Sequence, residues 1–253
     1  MKDLYLECYS GISGDMTVAA LLDLGADLNK LNTTLKELKI DDEFEIKVSK
    51  VLKSGIEAND FDVILKHKHE HNHDHDHHHH HHEHRNLDDV YKIIDRLSDE
   101  KVKKLAKDIF KVVAVAEAKA HGKSIEEVHF HEVGAVDSII DIVSVAFCIV
   151  NLEIENVYVS TLYEGKGFVH CAHGDMPVPV PAVLNIVSDY DLDIKVTDRE
   201  GELITPTGAA IVATLKNKEE LPEKYKIKKV GLGAGKRYPD RPSMVRAMLI
   251  EED

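Results

Sequence analysis

A long histidine run interrupts the chain and cannot belong to a folded core. Twelve of the seventeen histidines fall within residues 67–84, where acidic residues separate many of them. A segment of this composition buries no apolar surface, so it predicts a mobile loop inserted into a folded unit. The flanks must then meet, since residues 61–65 alternate loosely like a strand and residues 87–94 have helical apolar spacing behind Asn86.

The chemistry of this run is metal binding. Neutral imidazole is the most common side-chain ligand of Ni(II), Zn(II), Cu(II) and Co(II), and a string of imidazoles offers many interchangeable coordination sets. A purification tag is the alternative, but tags stand at chain termini and lack interrupting lysine, asparagine and acidic residues. We therefore expect a metal reservoir whose ligands are His67, His69, His71, His73, His75, His77, His78, His79, His80, His81, His82 and His84.

Composition and charge restrict the partners. The chain has 253 residues, of which 43% are hydrophobic and 31% charged, as in an ordinary globular protein with a substantial core. Its formal net charge of -14 disfavours nucleic acid or an anionic membrane surface as a partner. No signal peptide is recognisable and the best apolar run, residues 139–150, is too short to cross a bilayer, so we expect a cytoplasmic protein. Three cysteines without a Cys-x-x-Cys pair argue against a disulfide framework.

Strand and helix patterns alternate along the chain. Residues 4–9 predict a strand, residues 10–15 a turn and residues 16–24 a helix that Gly25 ends. This alternation predicts an α/β or α+β domain, a layered sheet with packed helices, over residues 1–253. Further helices are expected at residues 28–38, 102–121, 137–152, 180–188 and 206–215, and further strands at 44–52, 157–161, 225–231 and 244–250.

The segment richest in chemical groups is residues 129–141. If residues 128–133 are extended, His129 and His131 share one face, and Asp137 and Asp141 share a face of the following helix. With Glu132, two imidazoles and three carboxylates then converge, which predicts a metal site with a carboxylate base. The alternative is a solvated strand edge followed by an aspartate that stabilises the helix dipole.

Two more histidines, His170 and His173, precede a proline-rich turn, beside the thiol of Cys171. They are further candidate metal ligands. Packing residues on a rigid loop would explain the same spacing, because that spacing alone is weakly specific.

Two small-residue loops and one basic segment are candidate binding sites for a substrate. Each loop precedes a helix, so its free backbone amides can hold a phosphate or a carboxylate, although the acid in the first loop suits a hydroxyl or a metal better. The basic segment is an anion clamp or a turn with solvated cations. The residues concerned are Ser13 and Asp15, then Thr205, Thr207 and Gly208, and finally Lys236, Arg237 and Arg241.

Several of these blocks, taken in order, resemble one family, the nickel insertion proteins known as LarC. The resemblance covers nearly the whole chain and rests on several adjoining residues in each block. The blocks are residues 9–16 (YSGISGDM), 129–135 (HFHEVGA), 137–141 (DSIID), 172–174 (AHG), 177–179 (PVP), Glu202 and 205–208 (TPTG), together with the mid-chain histidine insertion.

The resemblance implies a CTP-dependent nickel chelatase. Such an enzyme inserts nickel into pyridinium-3,5-bisthiocarboxylic acid mononucleotide and so makes the nickel-pincer cofactor of lactate racemase. It also implies CTP with Mn or Mg, bound by a smaller C-terminal domain that is absent from this chain. The chain is then the first of two separately encoded parts, with a C-terminal partner chain, or the product of a programmed frameshift, or a shortened form, and the sequence leaves these alternatives open. We also expect self-association. A nickel or zinc storage chaperone without catalysis and a metal-dependent hydrolase remain the alternatives.

Overall fold

The computed structural model describes residues 2–66, 85–127, 136–171, 173–237 and 242–252. The predicted histidine loop lies outside these ranges. So do residues 128–135, with His129, His131 and Glu132, and Arg241.

Within the described ranges the chain forms ten strands and seven α-helices. The strands are β1 (Lys2–Glu7), β2 (Phe44–Lys53), β3 (Ile56–Leu65), β4 (Ile154–Val159), β5 (Leu162–Lys166), β6 (Phe168–Cys171), β7 (Gly174–Pro177), β8 (Ile194–Glu200), β9 (Tyr225–Ala234) and β10 (Met244–Glu252). The helices are α1 (Gly14–Asp23), α2 (Leu28–Glu37), α3 (Leu87–Ile94), α4 (Glu100–His121), α5 (Val136–Asn151), α6 (Pro181–Asp189) and α7 (Pro206–Leu215).

Six strands form one mixed sheet in the order β2-β3-β9-β10-β1-β4. Strand β1 runs antiparallel to β10 and parallel to β4, while β2 and β3 form an antiparallel pair. Strands β5 and β8 form a separate parallel pair, and β6 and β7 form a hairpin. The predicted α/β class, a layered sheet with packed helices, is confirmed.

Helix boundaries follow local capping chemistry. The Asn86 side chain accepts a hydrogen bond from the Asp89 amide at 3.0 Å, which completes a capping box at the start of α3. Helix α4 begins after Asp99, whose carboxylate caps its first turn, and ends at Gly122 with φ 61°. These two helices therefore begin and end close to the predicted residues.

The two faces of the sheet differ. Leu4 and Leu6 point into the main core, whereas Tyr5 between them joins a small cluster that includes Tyr158 and Met248. Helix α1 packs on β3, β9 and β10 and against α5, while α4 packs against α5, α6 and α7. The helices therefore cover one face and build the main core there. None of the described helices combines the length and apolar character needed to cross a bilayer.

Helix α1 lies so close to β9 that only glycine fits between them. A Cβ at Gly233 would stand 1.9 Å from the Met16 carbonyl oxygen, well inside van der Waals contact. We predict that Gly233→Ala lowers the free energy of unfolding by about 3 kcal/mol, the upper end of overpacking losses, because the clash is with backbone and the helix must move away from the sheet. Denaturant unfolding measures this.

Gly122→Ala is the matched control, because a Cβ there meets open space and adds only the strain of its φ of 61°. Equal losses of stability in the two variants would contradict the close approach of α1 to β9.

Candidate functional site

The loop after β1 and the loop before α7 are joined by backbone hydrogen bonds. The Ile12 amide donates to the Leu203 carbonyl at 3.0 Å, and the Thr205 amide donates to the Ile12 carbonyl at 3.1 Å. Gly11 has φ 84°, and a Cβ there would lie 2.0 Å from the Leu203 oxygen. Two small-residue motifs almost two hundred residues apart in the sequence are thereby held side by side.

A cavity of about 430 Å³, here called cavity A, opens where these two loops meet. Its walls come from the β1–α1 loop, the starts of α5 and α7, and the turn after β9. Of the predicted site residues that the structure describes, those lining it are Ser13, Asp15, Asp137, Asp141, Thr205, Thr207, Lys236 and Arg237. Residues predicted separately as base, loop and cation sites thus surround one volume.

Gly208 plays a structural part at this site. Its amide donates to Thr205 Oγ1 at 3.1 Å, which caps α7. A Cβ at Gly208 would lie 2.3 Å from the Ile12 carbonyl oxygen, so the residue permits the two loops to approach. The amides of Gly208 and Thr205 are both engaged, so the groups that can still donate to a ligand at the start of α7 include the hydroxyls of Thr205 and Thr207, at the positive end of the helix dipole.

Asp141 is the most unusual carboxyl group of cavity A. Its Oδ1 is inaccessible to solvent and has no hydrogen-bond partner among the described residues, although the residue as a whole is only half-buried. The carboxyl accepts a bond from the backbone amide of Asp15. Burial, together with the nearby charges of Asp15 and Asp137, raises the pKa of Asp141 well above its ordinary value, which Lys236 opposes. The raised pKa makes this carboxylate a stronger proton acceptor than an ordinary aspartate.

The two cations of cavity A are already paired. Lys236 Nζ lies 2.7 Å from Asp62 and 3.3 Å from Asp15, and Arg237 lies 2.5 Å from the Glu202 carboxylate. Burial disfavours the charged form of Lys236, but the hydrogen bond with Asp62 and the surrounding acidic charges outweigh it, so the pKa of Lys236 is raised. Both predicted anion-binding side chains thus stand in ion pairs.

Carboxylates outnumber cations around cavity A. Five acids and two bases are among its described lining residues, a formal excess of three negative charges. This excess favours a metal cation, and an anionic ligand needs such a cation beside it to offset part of the carboxylate charge. The five acids are Asp15, Asp62, Asp137, Asp141 and Glu202.

A second cavity of about 360 Å³, cavity B, adjoins cavity A. Both are lined by Glu202, Pro206 and Arg237, so the Arg237–Glu202 ion pair stands between them. Cavity B is also lined by His121, His170, Cys171 and His173, and by Glu117. The second predicted histidine group therefore lies beside the first site, although its spacing alone was weak support.

The histidines of cavity B differ in their surroundings. His170 Nδ1 lies 2.8 Å from the Asp175 carboxylate, and the His170 side chain is 84% exposed. The rings of His173 and His121 have centroids 4.9 Å apart. Burial, and then the charges of His173 and Lys123, lower the pKa of His121. Sequence reasoning missed His121, because it belongs to no motif and only the packing of α4 brings it here.

Metal-binding geometry is incomplete in the part of the chain that the structure describes. No group of three or more His, Cys, Asp or Glu side chains there could hold a metal ion as it stands. The predicted site at His129 and His131, and the predicted base Glu132, lie outside the described residues, immediately before α5. The predicted ligands of residues 67–84 and the predicted anion contact of Arg241 lie outside them as well.

Glu164 is a further functional group that the sequence did not indicate. It lies fully buried on β5, and its Oε1 accepts bonds from the amides of Gly165, Leu203 and Ile204 at 2.8, 2.6 and 3.2 Å. It therefore fixes the loop that carries Glu202. Burial raises the pKa of Glu164 to about 7, although the three amides act in the opposite direction.

We predict that Glu164→Gln flattens the pH dependence of stability. Since the folded-state pKa of about 7 exceeds the ordinary 4.5, ionisation of the folded protein costs stability. As the pH rises, the free energy of unfolding begins to fall above the ordinary pKa of 4.5 and has lost about 3 kcal/mol once the pH is above 7. The glutamine variant has no carboxyl to ionise, so it should not show this loss. Denaturant unfolding at pH 5, 6, 7 and 8 measures the difference.

The matched control is Glu223→Gln, which changes an exposed carboxylate and should follow the wild type. Parallel stability curves for wild type and Glu164→Gln would refute the buried ionisation.

Comparison with known proteins supports the sequence resemblance. A family model described as nickel insertion protein matches residues 4–253. The nickel insertion protein for pyridinium-3,5-bisthiocarboxylic acid mononucleotide from Alkaliphilus metalliredigens is 56% identical over 100% of this chain and 61% of its own length. The protein of the same name from Acetivibrio thermocellus is 46% identical over 98% of this chain and 60% of its own length.

A putative nickel insertion protein from Dictyoglomus thermophilum is 42% identical over 99% of the chain. The chain spans about 60% of the length of these relatives. No solved structure matches it. The family model covers nearly every residue and the identities extend along the whole chain. The chain therefore belongs to the nickel insertion protein family.

Proposed function

We propose that this chain inserts nickel into pyridinium-3,5-bisthiocarboxylic acid mononucleotide, the substrate in the names of two of its relatives. The observation that carries the proposal is Asp141. Its carboxyl lines cavity A with one buried oxygen that has no hydrogen-bond partner in the described parts of the chain, and its pKa is raised by burial. A carboxylate with these properties can act as a general base that accepts a proton from a bound ligand.

Cavity A offers groups for each part of this substrate, and nickel offsets part of the negative charge that the cavity and the substrate share. The substrate carries a phosphate and two thiocarboxylates, and nickel supplies two positive charges. The phosphate belongs at the start of α7, where Thr205 and Thr207 offer hydroxyls at the positive end of the helix dipole. Lys236 and Arg237 contribute by exchanging their carboxylate partners for the anionic substrate.

Asp141 takes the ring proton in this proposal. Formation of a nickel–carbon bond replaces a carbon–hydrogen bond of the pyridinium ring, so one proton leaves as nickel becomes attached to the same carbon. The carboxylate of Asp141 accepts that proton, and its raised pKa makes it a stronger acceptor than an ordinary aspartate. Asp137, nearer to solvent, and Glu132 are the other proposed acids of this site.

Nickel is supplied from the histidine run and enters the reaction as a substrate. The twelve imidazoles of residues 67–84 collect Ni(II), and His129 and His131, which precede α5 in the sequence, are proposed to hold it close to the base. Both steps require neutral imidazoles.

CTP with Mn or Mg is proposed as the co-substrate, and lactate racemase as the user of the product. Because the chain spans about 60% of its relatives' length, we propose that the further family region supplies the CTP site as a C-terminal partner. We also propose that the assembly self-associates. The reaction would then be that of a CTP-dependent chelatase of the lyase class.

A nickel or zinc storage chaperone is the second candidate, favoured by the histidine run alone. Incubation of the chain with Ni(II), CTP and the mononucleotide, with and without the further family region, separates the two functions. The nickelated mononucleotide, seen by its absorbance, supports insertion. Nickel that stays on the protein in every mixture supports storage and overturns the insertion proposal.

A further inference from the structure

His121 and His173 are spaced as two ligands of one metal ion. An imidazole that binds a first-row metal at about 2.0 to 2.1 Å places its ring centre roughly 3.2 Å from the metal. Two such rings at tetrahedral to square-planar angles have centres roughly 4.5 to 5.2 Å apart. The observed separation of 4.9 Å falls in this range.

The surroundings of the pair favour a cation. His121 is the last residue of α4, a helix of 22 residues whose negative dipole end lies there. Glu117, one turn earlier, has its Oε2 3.5 Å from His121 Nε2. A carboxylate at the second ring nitrogen of a metal-binding histidine is a frequent arrangement, because it orients the ring and adds negative charge.

A site with two protein ligands leaves coordination positions open. Structural metal sites are closed by four protein ligands, whereas sites that exchange ligands keep positions for water or substrate. Within the described residues no third metal-binding side chain completes the pair. The pair is therefore suited to holding nickel briefly and to releasing it to stronger sulfur ligands.

We infer that His121 and His173 form a nickel handover site in cavity B, from which the ion passes to the mononucleotide in cavity A. The inference rests on the proposed function and adds the route of the metal. Glu202 and Arg237 line both cavities, so their ion pair lies on the path. The thiocarboxylates of the bound substrate fill the open coordination positions of nickel. Because sulfur binds nickel more strongly than the two imidazoles do, the ion moves from cavity B to the substrate in cavity A.

Nickel binding without substrate tests the site. The background is a chain with residues 67–84 replaced by a glycine-serine linker and with His129→Ala and His131→Ala. Equilibrium dialysis should find one Ni(II) bound per chain. His121→Ala or His173→Ala should each weaken its binding by roughly tenfold or more, with little further loss in the double variant. Lys119→Ala, on the same turn of α4, is the control and should bind as the background does.

Either of two results overturns the site. One is an absence of nickel binding in the background chain, with a thermal unfolding midpoint that shows the chain to be folded. The other is unchanged binding in His121→Ala, with loss in His170→Ala, which would assign the ion to the exposed histidine beside Asp175. Because dialysis needs no substrate, failure of the proposed insertion reaction would leave this test intact.

The handover role has its own measurement in the chain that keeps His129 and His131. The nickel concentration for half-maximal insertion should rise roughly tenfold or more in His121→Ala, while the rate at saturating nickel stays within about twofold. An unchanged half-maximal concentration would overturn the handover.

Discussion

Replacing residues 67–84 by a glycine-serine linker of equal length should remove most of the nickel that the chain binds and leave its fold intact. Twelve of the seventeen histidines are lost, and with them most of the imidazole ligands. The flanks remain joined, because the Lys66 amide donates to the Glu43 carbonyl at 2.8 Å and Arg85 donates twice to the Glu43 carboxylate. Equilibrium dialysis gives the nickel stoichiometry, and thermal unfolding tests the fold.

A variant with serine in place of the twelve histidines keeps the lysine, asparagine and acidic residues of the loop, so it is the control for their contribution, and it should lose nickel to the same extent. Nickel binding by the unmodified chain should weaken as the pH falls through about 6.5, because protonated imidazole cannot bind a metal. Unchanged stoichiometry in the linker variant would show that the reservoir lies elsewhere.

Asp141→Asn should lower the rate of nickel insertion by about 10² to 10⁴-fold, the usual contribution of a general base. Asparagine keeps the shape of the side chain and can still accept the Asp15 amide, but it cannot take a proton. Stability at neutral pH should be equal or higher, since the folded protein no longer ionises a carboxyl whose pKa burial has raised. Single-turnover rates at saturating nickel measure the first effect, and denaturant unfolding measures the second.

Asp137→Asn is the matched comparison, because it removes a carboxyl one helical turn away that is exposed. A smaller effect, below about tenfold, is expected there. A larger loss in Asp137→Asn than in Asp141→Asn would transfer the base to the exposed residue.

Local chemistry explains why much of the fold could be predicted. The Asn86 cap, Gly122 and the apolar spacing of α4 and α5 act within a few residues of each other, so they are legible in the sequence. The four-residue separation of Asp137 and Asp141 likewise predicted that their carboxyl groups share one face of a helix, and both residues line cavity A. This prediction needs only the period of the α-helix, which does not depend on how the helix packs on the sheet.

Long-range packing explains what could not be predicted. Strands β6, β7 and β8 mix exposed with half-buried positions and have no strong apolar pattern, while β5 has five residues, of which one is a buried glutamate and one a glycine. Two of the three amide partners of Glu164, those of Leu203 and Ile204, lie some forty residues away. His121 meets His173 only because α4 ends beside the β6–β7 hairpin. The ion pairs of Lys236 and Arg237 also come from distant segments, so the sequence indicated cations but not their partners.

The mass of the product made from ring-deuterated mononucleotide tests the proposed insertion at Asp141 most directly. The chain, Ni(II) and CTP are incubated with this substrate, together with the further family region, and the mixture is examined by mass spectrometry beside the Asp141→Asn variant. We predict a product that has gained one nickel and lost one ring deuterium, with little formed by the variant. A nickel adduct that keeps every ring deuterium, or equal product from the variant, would contradict the account.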